Sequence, residues 1–440
     1  MSTTKMEQPM SPERQRVVER AKRDPEGQLR SVAHLLDVDA LRRAYGRIRL
    51  KAAVGVDGVT KEEYGKELES NLRDLHGRMR SMRYRHQPIR RVRIPKEKGK
   101  TRPIGISSIG DKIVQGALKE LLEQLYEPTF LDCSYGFRPH RRAHDALRTL
   151  NRSLYQGEVN WILEADIQSY FDSIDRKMLQ EMLWERVADK SLKRLVGKCL
   201  HVGILDGEEY SEPDEGTVQG SVLSPLLGNV YLHHVFDRWF EREVRPRLRG
   251  KATVVRYADD FVIGFELEED AKRVMAVIDK RFARFGLALH PEKTRLFPFR
   301  RPDPGQSDGK GPGTFEFLGF AVFWRRTRKG FWAPTLKTRK ASLRRAIASI
   351  ADWCRGHRCL PVTQQQAALK RLLVGHYNYF GVNGNARSLE LVYRQARHHW
   401  RKWLRRRSQR TTLTWTNYKG FLRAHPLPFP RVRVQLWAAP

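Results

Sequence analysis

Apolar and polar residues alternate along the chain in two different ways, and the change falls near residue 335. Before that point, short apolar runs typical of buried strands alternate with longer segments of helical spacing. The strand segments are residues 161 to 167, 252 to 257, 261 to 265 and 315 to 320. The helical segments are 176 to 187, 269 to 285 and a strong helix that begins at Asp111 and stops at Pro128. This alternation predicts an α+β fold in which helices pack against a sheet.

The residues after Thr335 carry three apolar stripes at helical spacing and predict a separate helical domain. The stripes lie within residues 343 to 353, 369 to 380 and 389 to 403. Four arginines of the third helix lie on the face opposite its stripe: Arg394, Arg397, Arg401 and Arg405. A solvated face would explain each of them singly. A row with almost no acidic residues favours contact with phosphates instead.

The overall charge indicates which class of molecule the protein binds. The 440 residues include 83 Lys and Arg against 50 Asp and Glu, a formal net charge of +33. Such an excess predicts a polyanionic partner and a steep loss of affinity with salt, so nucleic acid is the leading candidate. A basic protein of the membrane surface is the alternative. It is disfavoured because the cations interleave with Trp, Tyr and Phe throughout the chain.

The sequence also limits the compartment. We find no run of about 18 apolar residues and no apolar segment near the N-terminus, so we expect a cytoplasmic protein without a membrane partner. The four cysteines are too few and too scattered for a disulfide framework. Cys354 and Cys359 flank His357 as in half a zinc site, but no second half follows, and buried thiols are the better interpretation.

Acidic residues stand where two apolar strands end. Asp259 and Asp260 occupy the turn between the strands at 252 to 257 and 261 to 265, and Asp166 ends the strand that begins at 161. Adjacent aspartates are common in plain turns. These flanking strands are too apolar for a surface ribbon, so we expect a buried sheet to aim the carboxylates. If the strands are neighbours, Asp166 and Asp259 can share two Mg²⁺ ions, with Mn²⁺ as an alternative.

The turn Tyr257-Ala258-Asp259-Asp260 resembles the third palm motif of reverse transcriptases, and residues 166 to 175 resemble the first. The resemblance implies two metal ions bound by Asp166, Asp259 and the Ile167 carbonyl, with Asp260 in support. It also implies that Phe171 excludes a ribose 2′-OH.

Other motifs follow the order of that family. Residues 216 to 226 resemble the segment beside the incoming nucleotide, which implies a role for Gln219, and residues 286 to 294 resemble the motif whose lysine, here Lys293, lies near the triphosphate. Residues 315 to 320 resemble the strand that grips the primer. Residues 91 to 105 resemble a fingers hairpin, in which Lys96 and Arg102 would contact the triphosphate. Arg138, within residues 134 to 141, would contact template or nucleotide.

Further segments resemble the proteins encoded by group II introns. Residues 55 to 60 resemble their N-terminal extension, and residues 373 to 380 and 418 to 431 resemble their maturase or thumb domain. The resemblance implies a right-hand polymerase fold with an α-helical thumb. The expected divisions are a flexible or loosely docked arm (1–28), N-terminal extension and fingers (29–160), palm (161–334) and helical thumb or maturase domain with a short basic tail (335–440).

The expected function is RNA-directed DNA synthesis together with binding of the parent intron RNA to assist splicing and mobility. The expected partners are group II intron RNA, an RNA template, a DNA primer or target DNA, and dNTPs. The sequence stops at Pro440 without the endonuclease that many relatives append, so we expect no second-strand cleavage. The alternatives are a splicing maturase with little polymerase activity and a domesticated or defence-associated reverse transcriptase. A nucleotide cyclase is more distant, since it would not need this charge.

Overall fold

The computed structural model describes residues 11–95, 101–207, 209–211, 216–217, 220–303, 313–407 and 413–437. The chain divides into two compact units, and it passes between them several times. The first unit comprises Met1–Arg141, Ala165–Leu248 and Arg273–Thr294. The second comprises Arg142–Glu164, Arg249–Lys272 and Arg295–Pro440.

Helices and strands alternate over most of the described residues. The helices are α1 Pro12–Arg23, α2 Val38–Arg47, α3 Lys61–Lys66, α4 Leu68–Arg80, α5 Ile109–Tyr126, α6 Ala143–Gln156, α7 Arg176–Arg186, α8 Lys190–Leu200, α9 Ser224–Leu232, α10 Glu268–Ala283, α11 Lys340–Gly356, α12 Val362–Phe380, α13 Ala386–Arg405 and α14 Trp415–Ala424. The strands are β1 Ile89–Pro95, β2 Thr101–Ile106, β3 Trp161–Asp166, β4 Ile204–Asp206, β5 Glu209–Ser211, β6 Ala252–Tyr257, β7 Asp260–Phe265, β8 Arg295–Pro298, β9 Phe315–Phe317, β10 Phe320–Arg326 and β11 Trp332–Thr338. This mixed content agrees with the predicted α+β class.

The core of the first unit is built on α5. Its N-cap Ser108 accepts a hydrogen bond from the backbone N–H of Asp111, and the predicted apolar stripe is buried along its length. The first unit also holds a four-stranded sheet in the order β2-β1-β4-β5. β1 and β2 form an antiparallel hairpin whose register runs from Arg90 opposite Ile106 to Pro95 opposite Thr101. The two predicted strands of this hairpin are confirmed, while the predicted basic turn lies outside the described residues.

The second unit holds a four-stranded sheet in the order β6-β7-β3-β8. β6 and β7 pair antiparallel, and β3 pairs antiparallel with β8. Asn160, just before β3, donates its backbone N–H to the carbonyl of Phe265 at the end of β7 (2.8 Å). The start of β3 therefore lies beside the end of β7, so these neighbouring strands run in opposite directions.

A second sheet of this unit corrects one predicted strand. Residues 315 to 320 were expected to form a single strand, but they contain the whole of β9, a two-residue turn and the first residue of β10. Leu318 and Gly319 both have positive φ in that turn, at 49° and 79°. This is the pattern of a tight hairpin turn, which ends one strand and reverses the chain. The sheet order is β11-β10-β9.

The helices α11 to α14 pack around an apolar cluster in the second unit. The three predicted stripes are confirmed as α11, α12 and α13, and their buried faces meet in this cluster. The fully buried Trp400 of α13 donates its indole N–H to Gln365 of α12 (2.9 Å), which satisfies both polar groups.

Residues 1 to 28 were predicted to be a flexible or loosely docked arm. Within the described part of this segment, residues 11 to 28, helix α1 makes buried contacts with the rest of the first unit. Helix α1 buries Arg14 and Ala21. Arg14 forms an ion pair with Glu120 of α5 (2.7 Å), and Arg186 donates to the carbonyl of Ala21 (2.9 Å). The sequence prediction missed these contacts because only a narrow face of α1 is apolar. In the part of the chain that the structure describes, no helix is long and apolar enough to cross a membrane.

Candidate active site

The Tyr257–Asp260 turn is a two-residue hairpin turn between β6 and β7. Tyr257 pairs with Asp260, so Ala258 and Asp259 are its two central residues. Ala258 has a φ of 59°, whereas Asp259 is not among the residues with positive φ. Positive φ at the first central position alone is typical of a type II′ turn, which usually takes glycine there. An alanine in this conformation is strained, and such strain is often retained at functional sites.

The turn is supported from beneath by a buried arginine. Arg256 is fully buried and donates from Nη1 to the carbonyl of Ala258 (3.0 Å). The flanking strands are buried as well, since Val255, Phe261 and Val262 have no exposed surface. The prediction that a buried sheet holds this turn is therefore confirmed. Arg256 itself was not predicted to have a role, because arginine in a strand gives no signal of burial.

Asp166 is the last residue of β3, and the residues after it continue to pair in the first unit. Ile167 is buried and forms an isolated antiparallel bridge with Leu289. The backbone N–H of Gln168 donates to Ala288 (2.9 Å), and that of His290 donates to the carbonyl of Asp166 (2.8 Å). The backbone position of Asp166 is thus fixed on both sides.

Lys293 lies against the Asp166 carboxylate. Its ammonium group forms an ion pair with Oδ2 of Asp166, and both side chains keep some exposure to solvent. The sequence placed the two residues in separate motifs and gave Lys293 a contact with the nucleotide. The structure brings Lys293 directly to the acid that is predicted to bind metal, so a cationic group already balances this carboxylate.

Phe171 lies in a short turn that follows Asp166 in the first unit. Ser169 enters this turn with a φ of 42°, and the half-buried Phe171 accepts a hydrogen bond at its carbonyl from the N–H of Thr217 (2.7 Å). Tyr170 donates its hydroxyl to the carbonyl of Gly228 in α9 (2.5 Å). The turn is therefore fixed from two directions. Gln219, predicted to lie beside the nucleotide, is outside the described residues.

Arg102 extends from β2 as an exposed side chain in the same unit. Partial burial raises the pKa of the Asp172 carboxyl, and the guanidinium groups of Arg91 and Arg102 oppose that shift. Because Asp172 follows Phe171 directly, Arg102 lies in the vicinity of the Phe171 turn. Lys96, the other predicted contact with the triphosphate, lies outside the described residues.

Arg138, which we expected to contact template or nucleotide, is buried and engaged by groups within the protein. Its side chain is 4% exposed and forms an ion pair with Glu127 (2.8 Å). The remaining donors of the guanidinium bind backbone carbonyls, including those of Leu131 (2.6 Å) and Ser134 (2.9 Å). All three guanidinium nitrogens are thus used inside the protein, and the residue stabilises the loop around it.

The four arginines of α13 do not form one free row. Arg394 and Arg405 are exposed. Arg397 is half-buried, with its guanidinium 5.5 Å from the ring centre of Tyr393. Arg401 donates to the carbonyl of Leu413 (3.1 Å) and lies 4.2 Å above the ring centre of Trp415. Two of the four predicted contacts are therefore available to a partner, and two are engaged in packing.

Tyr379 of α12 is a further residue near the turn that the sequence did not single out. Its hydroxyl donates to the carbonyl of Leu318 (2.9 Å), and its ring stacks on Phe320. Burial raises the pKa of Tyr379 to about 12, and Tyr257 and Asp260 act in the same direction. The sequence analysis included Tyr379 only within residues 373 to 380, which resemble the maturase or thumb domain, and nothing in that resemblance indicated a contact near the acidic turn.

The acids offered by the structure suit a magnesium site by their chemistry. Mg²⁺ in proteins prefers carboxylate and carbonyl oxygens, and one or two carboxylates suffice where substrate phosphates complete the shell. Among the described residues, no group of three or more His, Cys, Asp or Glu side chains is placed to hold a metal. The predicted ligands are two carboxylates and one backbone carbonyl, which is compatible with that finding.

Comparison with known proteins identifies the family. The family described as reverse transcriptase (RNA-dependent DNA polymerase) matches residues 94–322, a segment that includes Asp166, Asp259 and Asp260. The chain therefore belongs to the reverse transcriptase family.

Individual relatives agree with this result. Protein YkfC of Escherichia coli K12 is 34% identical over 309 residues, which cover 63% of this chain and 77% of YkfC. Group II intron-encoded protein LtrA of Lactococcus lactis subsp. cremoris is 32% identical over 259 residues, which cover 56% of this chain and 43% of LtrA. Nuclear intron maturase 4 of Arabidopsis thaliana is 27% identical over 209 residues, which cover 46% of this chain and 24% of the maturase.

These similarities confirm the predicted resemblance to group II intron reverse transcriptases and maturases. The matched segments span less than half of LtrA and of the plant maturase.

Proposed function

We propose that this chain is an RNA-directed DNA polymerase of the group II intron type, which extends a DNA primer on an RNA template. In this proposal Asp166, Asp259 and the carbonyl of Ile167 would hold two Mg²⁺ ions, and Asp260 would play a supporting part at the catalytic site. When bound, the ions lower the pKa of the primer 3′-OH and stabilise the departing pyrophosphate.

The order of strands is the observation that carries the proposal. β3 and β7 are neighbours in one sheet, and the Asn160 hydrogen bond to Phe265 gives their relative register. Six residues beyond Asn160 is Asp166, and six residues before Phe265 is Asp259. If β3 and β7 continue to pair in this register, Asp166 and Asp259 face each other, which supports the assignment of both acids to one metal site.

The aspartates act as ligands in this proposal, and not as general bases. Lys293 balances the charge of Asp166, and in this proposal its ammonium group would also contact a phosphate oxygen of the nucleotide. Phe171 would stand against the sugar and exclude a 2′-OH, and Arg102 would contact the triphosphate with its forked donors. Lys96 and Gln219 complete the proposed nucleotide site.

The proposal also assigns the parts of a right-hand polymerase. The β1–β2 hairpin belongs to the fingers, the β6-β7-β3-β8 sheet to the palm, and helices α11 to α14 to the thumb or maturase domain. The divisions at residues 28, 160 and 334 remain predictions.

Primer extension on poly(rA) with an oligo(dT) primer tests the chemistry. Replacing Asp166→Asn or Asp259→Asn should lower the rate about 10³-fold or more, since loss of a metal ligand costs several kcal/mol. Both variants should keep most of their RNA affinity, because cations supply it. Asp279→Asn, an exposed acid on α10, is the matched control and should leave the rate unchanged. Undiminished synthesis by Asp259→Ala would end the enzyme proposal.

A second function, binding of intron RNA to assist splicing, is supported by the exposed arginines and by the named relatives. Arg394 and Arg405 are exposed on α13, and the chain carries a net charge of +33. We propose that a self-splicing intron RNA is the partner. Splicing by the Asp259→Asn protein at the wild-type rate would show that this role is independent of polymerisation. Failure of the wild-type protein to accelerate splicing of any adjacent intron would favour the domesticated or defence-associated alternative.

A further inference from the structure

The turn between β10 and β11 is a well-formed and strongly basic tip, which we call the hairpin tip and define as residues 325 to 331. Its backbone is closed by hydrogen bonds from Thr327 to Phe331 (2.7 Å) and from Gly330 to Thr327 (3.0 Å). The N–H of Phe331 also donates to the hydroxyl of Thr327 (3.1 Å). These bonds fix the conformation of the tip without any partner.

The base of the hairpin is anchored by two buried tryptophans. Trp324 is 3% exposed and donates its indole N–H to the carbonyl of Phe299 (3.0 Å). Trp332 is 6% exposed and donates to the carbonyl of Asp303 (3.3 Å). Because both anchors are rigid, the tip is presented on a fixed support, which reduces the entropy lost on binding.

The charge of the tip is positive and uncompensated. No acidic residue occurs between Glu316 and Asp352 in the sequence. The tip holds four exposed cations, and within the described chain none of them forms an ion pair: Arg325, Arg326, Arg328 and Lys329. Arg326 uses its Nε to hold the carbonyl of Gly330 (3.1 Å), which leaves its other donors toward solvent. Four like charges within seven residues repel one another, so the arrangement favours an anionic partner.

The exposed ring of Phe331 indicates which class of anion the hairpin tip binds. It is 70% exposed at the tip, whereas the next residue, Trp332, is buried. Exposed aromatic rings beside cations are the arrangement that single-stranded nucleic acid binders use, with the ring stacking on a base and the cations contacting phosphates. Paired bases offer no face for such stacking.

We propose that the hairpin tip binds an unpaired RNA strand, with Phe331 stacked on a base and Arg328 and Lys329 on the adjacent phosphates. RNA is favoured over DNA because the family copies RNA, so the strand that awaits pairing is RNA. The inference rests on the proposed function for its partner, yet it concerns a surface that takes no part in the metal chemistry.

Binding of the full-length protein to a fluorescent oligo(A) RNA, followed by anisotropy without dNTPs, tests the proposal. Phe331→Ala should weaken binding of the unpaired RNA roughly tenfold, in line with the loss of one stacked base. When the same RNA is annealed to its complement, the affinity of Phe331→Ala for the duplex should stay within about twofold of the wild-type affinity. Phe331→Trp should restore the affinity, because it restores a stacking ring.

The charges are tested by the dependence of affinity on salt. Arg328→Ala/Lys329→Ala should reduce the slope of log affinity against log salt by about 1.4 for a single strand, two lost phosphate contacts at about 0.7 each. Lys66→Ala/Arg73→Ala is the matched control. It removes two exposed cations that lie among acidic residues of α3 and α4, and it should leave the slope unchanged.

The outcomes separate this proposal from the polymerase proposal. Asp259→Asn should bind the unpaired RNA like wild type, so a failure of catalysis does not affect this assay. If Phe331→Ala loses affinity for unpaired DNA of the same sequence to the same extent, this would also support a single-strand site, since the ring and the cations do not contact the 2′-OH. The proposal is overturned if Phe331→Ala weakens binding of duplex and single-stranded RNA equally, or if it weakens binding of anionic vesicles only. It is also overturned if the variants unfold at the wild-type temperature and all bind unpaired RNA with wild-type affinity.

Discussion

Gly220 makes a close approach to β2 that only a residue without a side chain allows, and Gly220→Ala tests what that approach does. Gly220 has a φ of 111°. A Cβ at this position would lie 2.5 Å from the carbonyl oxygen of Gly105 and 2.7 Å from Cγ2 of Ile104. The first of these neighbours is a backbone atom of Gly105, which pairs with Arg91 in the β1–β2 hairpin, so it cannot give way by rotating a side chain.

The size of the effect follows from this geometry. The backbone conformation alone costs a non-glycine residue about 1–2 kcal/mol. The new Cβ must then retreat by about 0.9 Å to reach the 3.4 Å of an ordinary contact. The contacted atoms belong to β2, so the displacement moves the strand that carries Arg102. Since a misplacement of about 1 Å can cost on the order of 10²-fold in rate, we expect kcat/KM for dNTP to fall roughly tenfold or more.

The assay is single-nucleotide primer extension on an RNA template, with the unfolding temperature measured in parallel. Gly157→Ala is the matched control, because Gly157 also has positive φ (79°) but nothing lies within 4 Å of its added Cβ. It should lose stability through the backbone term alone and keep its kcat/KM within about twofold. The reasoning is refuted if Gly220→Ala and Gly157→Ala have the same kinetics, because the contact with β2 would then have no bearing on the nucleotide.

Three further predictions concern residues outside the acidic turn. Arg138→Met should lower the free energy of unfolding by about 3–5 kcal/mol, since it leaves a carboxylate without its buried partner, and urea unfolding measures this. Arg401→Ala should lower stability by about 1 kcal/mol through loss of its cation–π contact, whereas Arg405→Ala should lower only the salt dependence of RNA binding. Burial lowers the pKa of His376 to about 4, so the free energy of unfolding should fall by about 2–3 kcal/mol as the pH falls from 6.5 to 4; His376→Phe should remove this loss in urea unfolding at both pH values.

The sign of the His376 effect follows from its protonation in the two states. In the unfolded chain the imidazole takes up a proton near pH 6.5, while in the folded protein its buried Nε2 has no hydrogen-bond partner and stays neutral until about pH 4. Between these values the unfolded state binds more protons, so acid favours unfolding. An equal response to acid by wild type and His376→Phe would contradict this assignment.

The elements with long apolar stripes could be predicted from the sequence, and so could the positions of the acids of the proposed site at the ends of strands. Helices α5, α11, α12 and α13 are set by faces that must be buried, and period alone identifies such faces. Asp166 and Asp259 could be found because each ends a run of apolar residues that only a buried strand explains. The split of residues 315 to 320 was missed because Leu318 adopts a left-handed conformation that its residue type does not signal.

Long-range pairs could not be predicted, and they decide what a charged side chain does. Lys293 meets Asp166 across 127 positions of the chain, a contact that no local pattern encodes. Arg102 and Arg138 are the same residue type in equally basic segments. One stays exposed on β2, while the other is neutralised by Glu127, eleven residues upstream. Sequence shows which residues carry charge, but only the fold shows which charges are already paired.

The arginines of α13 give this distinction its sharpest test, because they share a helix face and differ in what they touch. Arg405 is exposed, and Arg401 stacks on Trp415 while holding the carbonyl of Leu413. If the predicted row of phosphate contacts is real, both alanine variants should reduce the salt slope by the same amount, about 0.7 to 0.9. If packing engages Arg401 as the structure indicates, only Arg405→Ala should change the slope, and only Arg401→Ala should lower the unfolding temperature. A reduced slope for Arg401→Ala at unchanged stability would show that its contact with Trp415 yields to RNA, and the row would regain its predicted role.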